Sequence, residues 1–164
     1  MEINGASAIV TGGSSGIGAA VVRQLAARGA KVVVADLNAE KGEALAKEVG
    51  GVFVAVDVTK TEQNQAAVDK ALELGPLRYL VNSAGIGHAQ RTIGRDGEYS
   101  SAFDFDAFRK VIDINLLGSF DMLRLAATKM SINEADEDGQ KGAIVNMASV
   151  AAFDGQIGQA SYAA

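Results

Sequence analysis

The 164-residue sequence predicts a doubly wound α/β fold, with helices on both faces of a parallel sheet. Three observations carry this. Short apolar segments alternate with helix-like segments, the arrangement of successive βαβ units. The apolar segments are continuous, as in Lys31-Val32-Val33-Val34-Ala35-Asp36, and do not alternate with polar residues. Strands read this way when helices cover both faces of the sheet. The stretch Ile9–Gly18, IVTGGSSGIG, joins the first strand to the first helix through a glycine-rich turn. There, backbone N–H groups and the positive end of a helix dipole suit a pyrophosphate.

Each element follows from local pattern. Ala8-Ile9-Val10 is the first strand; Thr11 and Gly12 leave it, Gly13, Ser14 and Ser15 form the turn, and Gly16, Ile17 and Gly18 enter the helix. Ile17, Val21 and Leu25 share one face of a helix that runs to about Arg28 and stops at Gly29. After the second strand, Asn38 caps a second helix ending near Val49-Gly50-Gly51, and Val52–Val56 is a third buried strand. Thr59-x-x-Glu62 has the form of a capping box for a third helix, which Gly75-Pro76 ends. Arg78–Val81 is a fourth strand leading to Asn82-Ser83-Ala84-Gly85. His88–Ala102 is polar and reads as a loop. A long helix then spans Asp104–Met130, with Phe108, Val111, Ile112, Asn115, Leu116 and Leu123 along one side. Asn133–Gly139 is an acidic surface loop and Ala143–Met147 a fifth buried strand ending at Ala148-Ser149. Gly155 and Gly158 lead to Ser161-Tyr162-Ala163-Ala164. Right-handed crossovers connect these parallel strands.

Composition narrows the function. Residues 1–164 form one domain, with 48% hydrophobic and 21% charged residues. The net charge of −5, without a Lys/Arg cluster, argues against a nucleic-acid partner. With no cysteine and a single histidine, His88, disulfides and Cys- or His-based metal clusters are excluded, and no metal is expected in the acidic loop. The first strand begins almost at once, leaving no room for a signal or transit peptide, and no apolar run approaches the ~20 residues of a membrane helix. The expectation is a soluble, cytoplasmic protein without a membrane partner.

Asp36 ends the second strand 18 residues after Gly18, with Leu37 beside it. An acid here accepts hydrogen bonds from the adenosine ribose hydroxyls and repels a 2′-phosphate, so the cofactor is read as NAD over NADP. No Arg or Lys lies within Gly12–Gly18 to offset that repulsion. Asp36 equally suits a capping role in the loop, and the two roles are compatible.

The glycine spacing is T-G-x-x-x-G-x-G, on Thr11, Gly12, Gly16 and Gly18. It resembles the fingerprint of the short-chain dehydrogenase/reductase family, whose domain is a Rossmann sheet. Asn82-Ser83-Ala84-Gly85 resembles the family's N-N-A-G, with Ser in second place. The resemblance implies that Asn82, Ala84 and Gly85 support the sheet and line the cofactor side, and that Asp57, with Val58, contacts the adenine. A plain loop entry at Asp57-Val58 stays open. Asn115, within Asp113–Gly118, resembles the family's helix asparagine, which helps hold a water and a catalytic lysine. Ser149 and Tyr162, 13 residues apart, resemble the serine that binds the substrate oxygen and the tyrosine that transfers its proton. A phenol with pKa near about 10 needs a neighbouring positive charge to act as a base at neutral pH. The family's lysine stands four residues after the tyrosine, beyond Ala164. The resemblance thus covers the whole sequence but only the N-terminal part of the family's domain, its first five strands, and residues 1–164 alone are expected to be inert.

Within the family, the loop His88–Ala102, the acidic loop before Lys141 and the segment Ala148–Gln159 resemble the type II 3-hydroxyacyl-CoA dehydrogenases. That branch implies an acyl-CoA substrate, Gln156 as a substrate contact, and a homodimer or homotetramer. Gln156 as a solvent-facing residue stays open, as do an acyl-carrier-protein, steroid or polyol substrate and a non-catalytic nucleotide-binding or scaffold role.

Overall fold

A computed structural model describes Met1–Ala164. Its strands are β1 (Ser7–Thr11), β2 (Lys31–Asp36), β3 (Val52–Ala55), β4 (Leu77–Asn82) and β5 (Ala143–Asn146). They form one parallel sheet in the order β3-β2-β1-β4-β5. The helices are α1 (Gly16–Ala27), α2 (Ala39–Val49), α3 (Thr61–Leu74), α4 (Phe105–Ile112), α5 (Ser119–Met130) and two single turns, α6 (Ala151–Asp154) and α7 (Ala160–Ala163). The pleat sorts the core. Ile9, Val33 and Leu80 point to the face covered by α3 and α5, where Val68, Met122 and Ala126 meet them. Ala8, Val10, Val32 and Val34 point to the other face, against Val22 of α1 and Leu45 of α2.

The chain winds outward from β1 to β2 and β3, then returns to place β4 on the other side of β1. Such a reversal opens a crevice beyond the carboxyl ends of the central strands. Register aligns those ends, pairing Thr11 with both Ala35 and Asn82, and Asn82 with Asn146.

Several local expectations change. β3 is an edge strand, half-buried in place of fully buried; β5 lies at the other edge, as expected of a fifth strand with no sixth beside it, and leaves Val145 52% exposed. Each lacks a neighbour on one side, so a continuous apolar run does not by itself guarantee burial. The Thr59–Glu62 capping box does not form. Lys60 is the N-cap residue of α3 and makes no side-chain cap bond, while Thr59 turns back to Asp57. The long helix is continuous but not uniform, because Asp113–Gly118 between α4 and α5 is a π-helical stretch. Of the residues expected along one side, Val111 is buried whereas Leu116, in this stretch, is 52% exposed. Gly118 lies where a Cβ would come within 2.7 Å of Val58 Cγ2. The expected Asn38 cap forms, its side chain accepting from Lys41 N, and Asp104, read only as the start of the long helix, caps α4 through Asp106 N and Ala107 N.

Candidate active site

The glycine turn is fixed by close approach. Gly12 has φ +62°, and a Cβ there would sit 2.7 Å from Ala84 N, so the turn lies directly on the segment after β4. A Cβ on Gly18 would collide with the Gly12 carbonyl. Gly16, at φ +52°, faces open space, leaving its backbone accessible at the start of α1. Thr11 is buried, and its hydroxyl accepts from Ser83 N at 3.1 Å and Ala84 N at 3.2 Å. It therefore binds the two glycine-bearing segments to each other and does not line the crevice. Asn82 also works from behind, with Nδ2 donating to Ser119 O at 3.0 Å and to Asn146 Oδ1 at 2.9 Å.

Asp36 combines both roles open to it. Its Oδ2 accepts from Ser14 N at 3.0 Å, holding the glycine turn, and its Oδ1 accepts from Asn38 N at 2.9 Å. Each oxygen keeps a further lone pair for a ligand hydroxyl. Asp57 is held at two points: its N–H donates to Gln63 Oε1 at 2.7 Å, and its Oδ1 accepts from Thr59 N and Thr59 Oγ1. Those bonds, the backbone one first, hold its carboxyl below the usual carboxylate range against a smaller opposing effect of burial.

These pieces border a cleft of about 430 Å³ lined by Gly12, Ser15, Gly16, Ile17, Asp36, Leu37, Asp57, Val58, Ala84 and Gly85, among others. Ile17 and Leu37 are 62% and 72% exposed at its lips, apolar surfaces suited to the faces of a flat ring. Of the sequence-predicted cofactor residues, Thr11, Ser14, Gly18 and Asn82 stand behind the lining as its support.

A second cleft, about 560 Å³, shares Ile17 and Ser83–Ile86 with the first. Ser149, Tyr162 and Asn115 all line it. Asn115 lies in the π-helical stretch and pairs with the backbone of Ile86: Oδ1 accepts from Ile86 N and Nδ2 donates to Ile86 O, both at 2.9 Å. This satisfies a half-buried amide and fixes the wall where the clefts meet. Gln156 is exposed and outside the lining, whereas Gln159 lines the cleft with its Oε1 buried and unpartnered. Sequence reasoning missed Gln159, Ile86 and Gln63. Gln159 carries no spacing signal apart from Gln156, and Gln63 was masked by the more familiar Thr-x-x-Glu pattern. No group of three His, Asp or Glu side chains is gathered as a metal site, and no helix is long and apolar enough to cross a membrane.

The family model described as short chain dehydrogenase matches residues 6–164. The chain belongs to the short-chain dehydrogenase family. It is similar to 3-hydroxyacyl-CoA dehydrogenase type-2 of Drosophila melanogaster, 47% identical over 165 residues that cover 99% of this chain and 64% of that protein. The Homo sapiens protein of the same name is 43% identical over 167 residues, covering 99% of this chain and 63% of that protein. Among solved structures, 3-hydroxyacyl-CoA dehydrogenase type-2 from Mycobacterium avium superposes with a TM-score of 0.93 at 46% identity, covering 99% of this chain and 65% of that one. The chain thus spans slightly less than two thirds of the length of these relatives.

Proposed function

We propose that the protein is an NAD-dependent dehydrogenase interconverting 3-hydroxyacyl-CoA and 3-oxoacyl-CoA. The observation that carries this reading is the meeting of Ser149 and Tyr162 in one cleft that continues into the crevice of the glycine turn. The relatives' names supply the substrate class.

The residues of the first cleft suit the cofactor. Gly16 offers open backbone at a helix start to the pyrophosphate, Ile17 and Leu37 offer apolar surface to its rings, and Asp36 keeps lone pairs for ribose hydroxyls. Asp36 would face a 2′-phosphate with repulsion, hence NAD over NADP. When bound, NAD supplies or accepts the hydride. The chain's own part is proton transfer and orientation: the Tyr162 phenol exchanges the proton of the substrate oxygen, and the Ser149 hydroxyl donates to that oxygen. Asn115 holds the wall beside them through Ile86.

The exposed apolar residues Phe105, Leu116, Leu117 and Phe120 along α4 to α5 support a homodimer through that side. The proposed compartment is the cytoplasm, on the absence of cysteine and of any membrane helix.

The test is turnover of the full-length protein on a panel of short 3-hydroxyacyl-CoA, steroid and polyol substrates with NAD. Faster oxidation of hydroxyacyl-CoA supports the reading, and a panel led by steroids or polyols overturns its substrate.

A further inference from the structure

We propose that Gln90 is a positioning residue for the substrate side of the second cleft, acting through the turn Gly155–Gln159; the proposal rests on the hydroxyacyl-CoA reading above. Residues 149–164 carry Ser149, Gln159 and Tyr162, yet a single hydrogen bond joins them to the rest of the chain. Gln90 N donates to Gly158 O at 2.7 Å, whereas every other hydrogen bond they make is internal. Packing buries Ala151 and Ser161 and sets α7 against α4, and Gln90 supplies the one polar tie that fixes the turn before Tyr162.

The Gln90 side chain fixes that donor in turn. Nε2 donates to Ala102 O at 3.1 Å and Oε1 accepts from Asp104 N at 3.0 Å. A carbonyl on one side and an N–H on the other leave one orientation for the amide. His88 Nε2, 3.4 Å from the same Oε1, must then be the donor of that contact. One residue thus closes the base of the 91–101 loop, ties it to the N-cap of α4 and holds the turn before Tyr162. Gly158 has φ +83°, a conformation side chains rarely adopt, and the space over it is bounded by the Gln90 backbone at 3.6 Å. Gly87 and Gln159, which line the cleft, flank this junction. Nothing in it touches the glycine turn, so its influence falls on substrate and not on cofactor.

The experiment compares full-length wild type with Gln90→Met, which keeps length and removes all three side-chain polar contacts, and Gln90→Glu, which keeps the acceptor for Asp104 N and loses the donor to Ala102 O. Amide hydrogen exchange is read by peptide, beside NAD affinity and the KM and kcat for hydroxyacyl-CoA. Gln90→Met is expected to speed exchange in 156–163 and raise KM by roughly tenfold, as for losing one or two net hydrogen bonds. kcat should change by less than about threefold, with NAD affinity and exchange in 12–18 unaltered; Gln90→Glu should shift KM and exchange in the same direction by less. Unchanged exchange in 156–163 in both variants overturns the proposal, as does faster exchange in 12–18 in both, which marks a general structural role. If wild type oxidises no hydroxyacyl-CoA, the substrate reading fails on its own and the exchange data still decide the role of Gln90.

Discussion

The two clefts are built by opposite means. On the glycine side the backbone makes the site: Gly12 lies on Ala84, Gly18 on the Gly12 carbonyl, and Asp36 and Thr11 knit the turn to its neighbours. On the Ser149–Tyr162 side the groups are side chains, Ser149 on the irregular stretch after β5 and Tyr162 on the single turn α7, with Val150, Phe153 and Ile157 exposed and one hydrogen bond from 149–164 to the rest of the chain. A site that receives the same cofactor group each time can be rigid backbone. A site that differs between substrates is more easily varied when carried by side chains on a lightly tethered segment.

The largest expected effect separates the two by chemistry. Tyr162→Phe in the full-length protein should lower turnover by about 10²–10⁴-fold, the range of a general acid–base group, while NAD affinity stays close to wild type. Turnover near wild type would remove Tyr162 from the mechanism. The next contrast concerns sterics. Gly18→Ala forces a Cβ into the Gly12 carbonyl and should destabilise by roughly 1–3 kcal/mol while weakening NAD binding, as overpacking does. Gly155→Ala, at φ +67° with nothing within 4 Å, should cost only backbone strain and leave NAD binding alone. Thermal unfolding and cofactor titration of both variants check this; equal losses of NAD affinity would erase the contrast. A smaller effect is confined to the first cleft. Asp36→Ala should narrow the NAD-over-NADP preference by about 1–3 kcal/mol, as for losing hydrogen bonds to a charged group. Wild type that binds NADP as tightly as NAD would overturn the preference itself.

The backbone-built half was also the legible half. Glycines at fixed spacing mark places where a Cβ cannot fit, as at Gly12 and Gly18, or where φ is positive, as at Gly16, so these three are written directly in the sequence, and the parallel, doubly wound sheet follows from the alternation of its elements. What escaped were features set by partners distant in sequence. Burial of β3 depends on which strand lies beside it, which a continuous apolar run cannot reveal. The π-helical stretch Asp113–Gly118 carries no pattern that sets it apart from the regular helix on either side. Gln90 and Gln63 act through backbone groups whose proximity exists only in the fold.

The smallest prediction tests Asp57, whose ionised form the fold favours. Thr59 N and Thr59 Oγ1 both donate to its Oδ1, the latter at 2.8 Å, and together they depress its pKa in the folded state. The unfolded chain has the ordinary value, about 3.9. Protons therefore bind the unfolded state more readily over this interval, so stability rises with pH across it. The contribution is fully present above about pH 4–5 and is lost as pH falls through the folded value, below which both states are protonated. Thr59→Val removes the hydroxyl bond and keeps the backbone one. Because Asp57 is only partly buried, the loss at pH 7 should be under about 1 kcal/mol. Denaturant unfolding of wild type and variant at pH 7 and near pH 3 checks it: the gap should narrow at the lower pH. A gap of the same size at both would mean that Thr59 stabilises the loop by packing, with no share in holding the Asp57 charge.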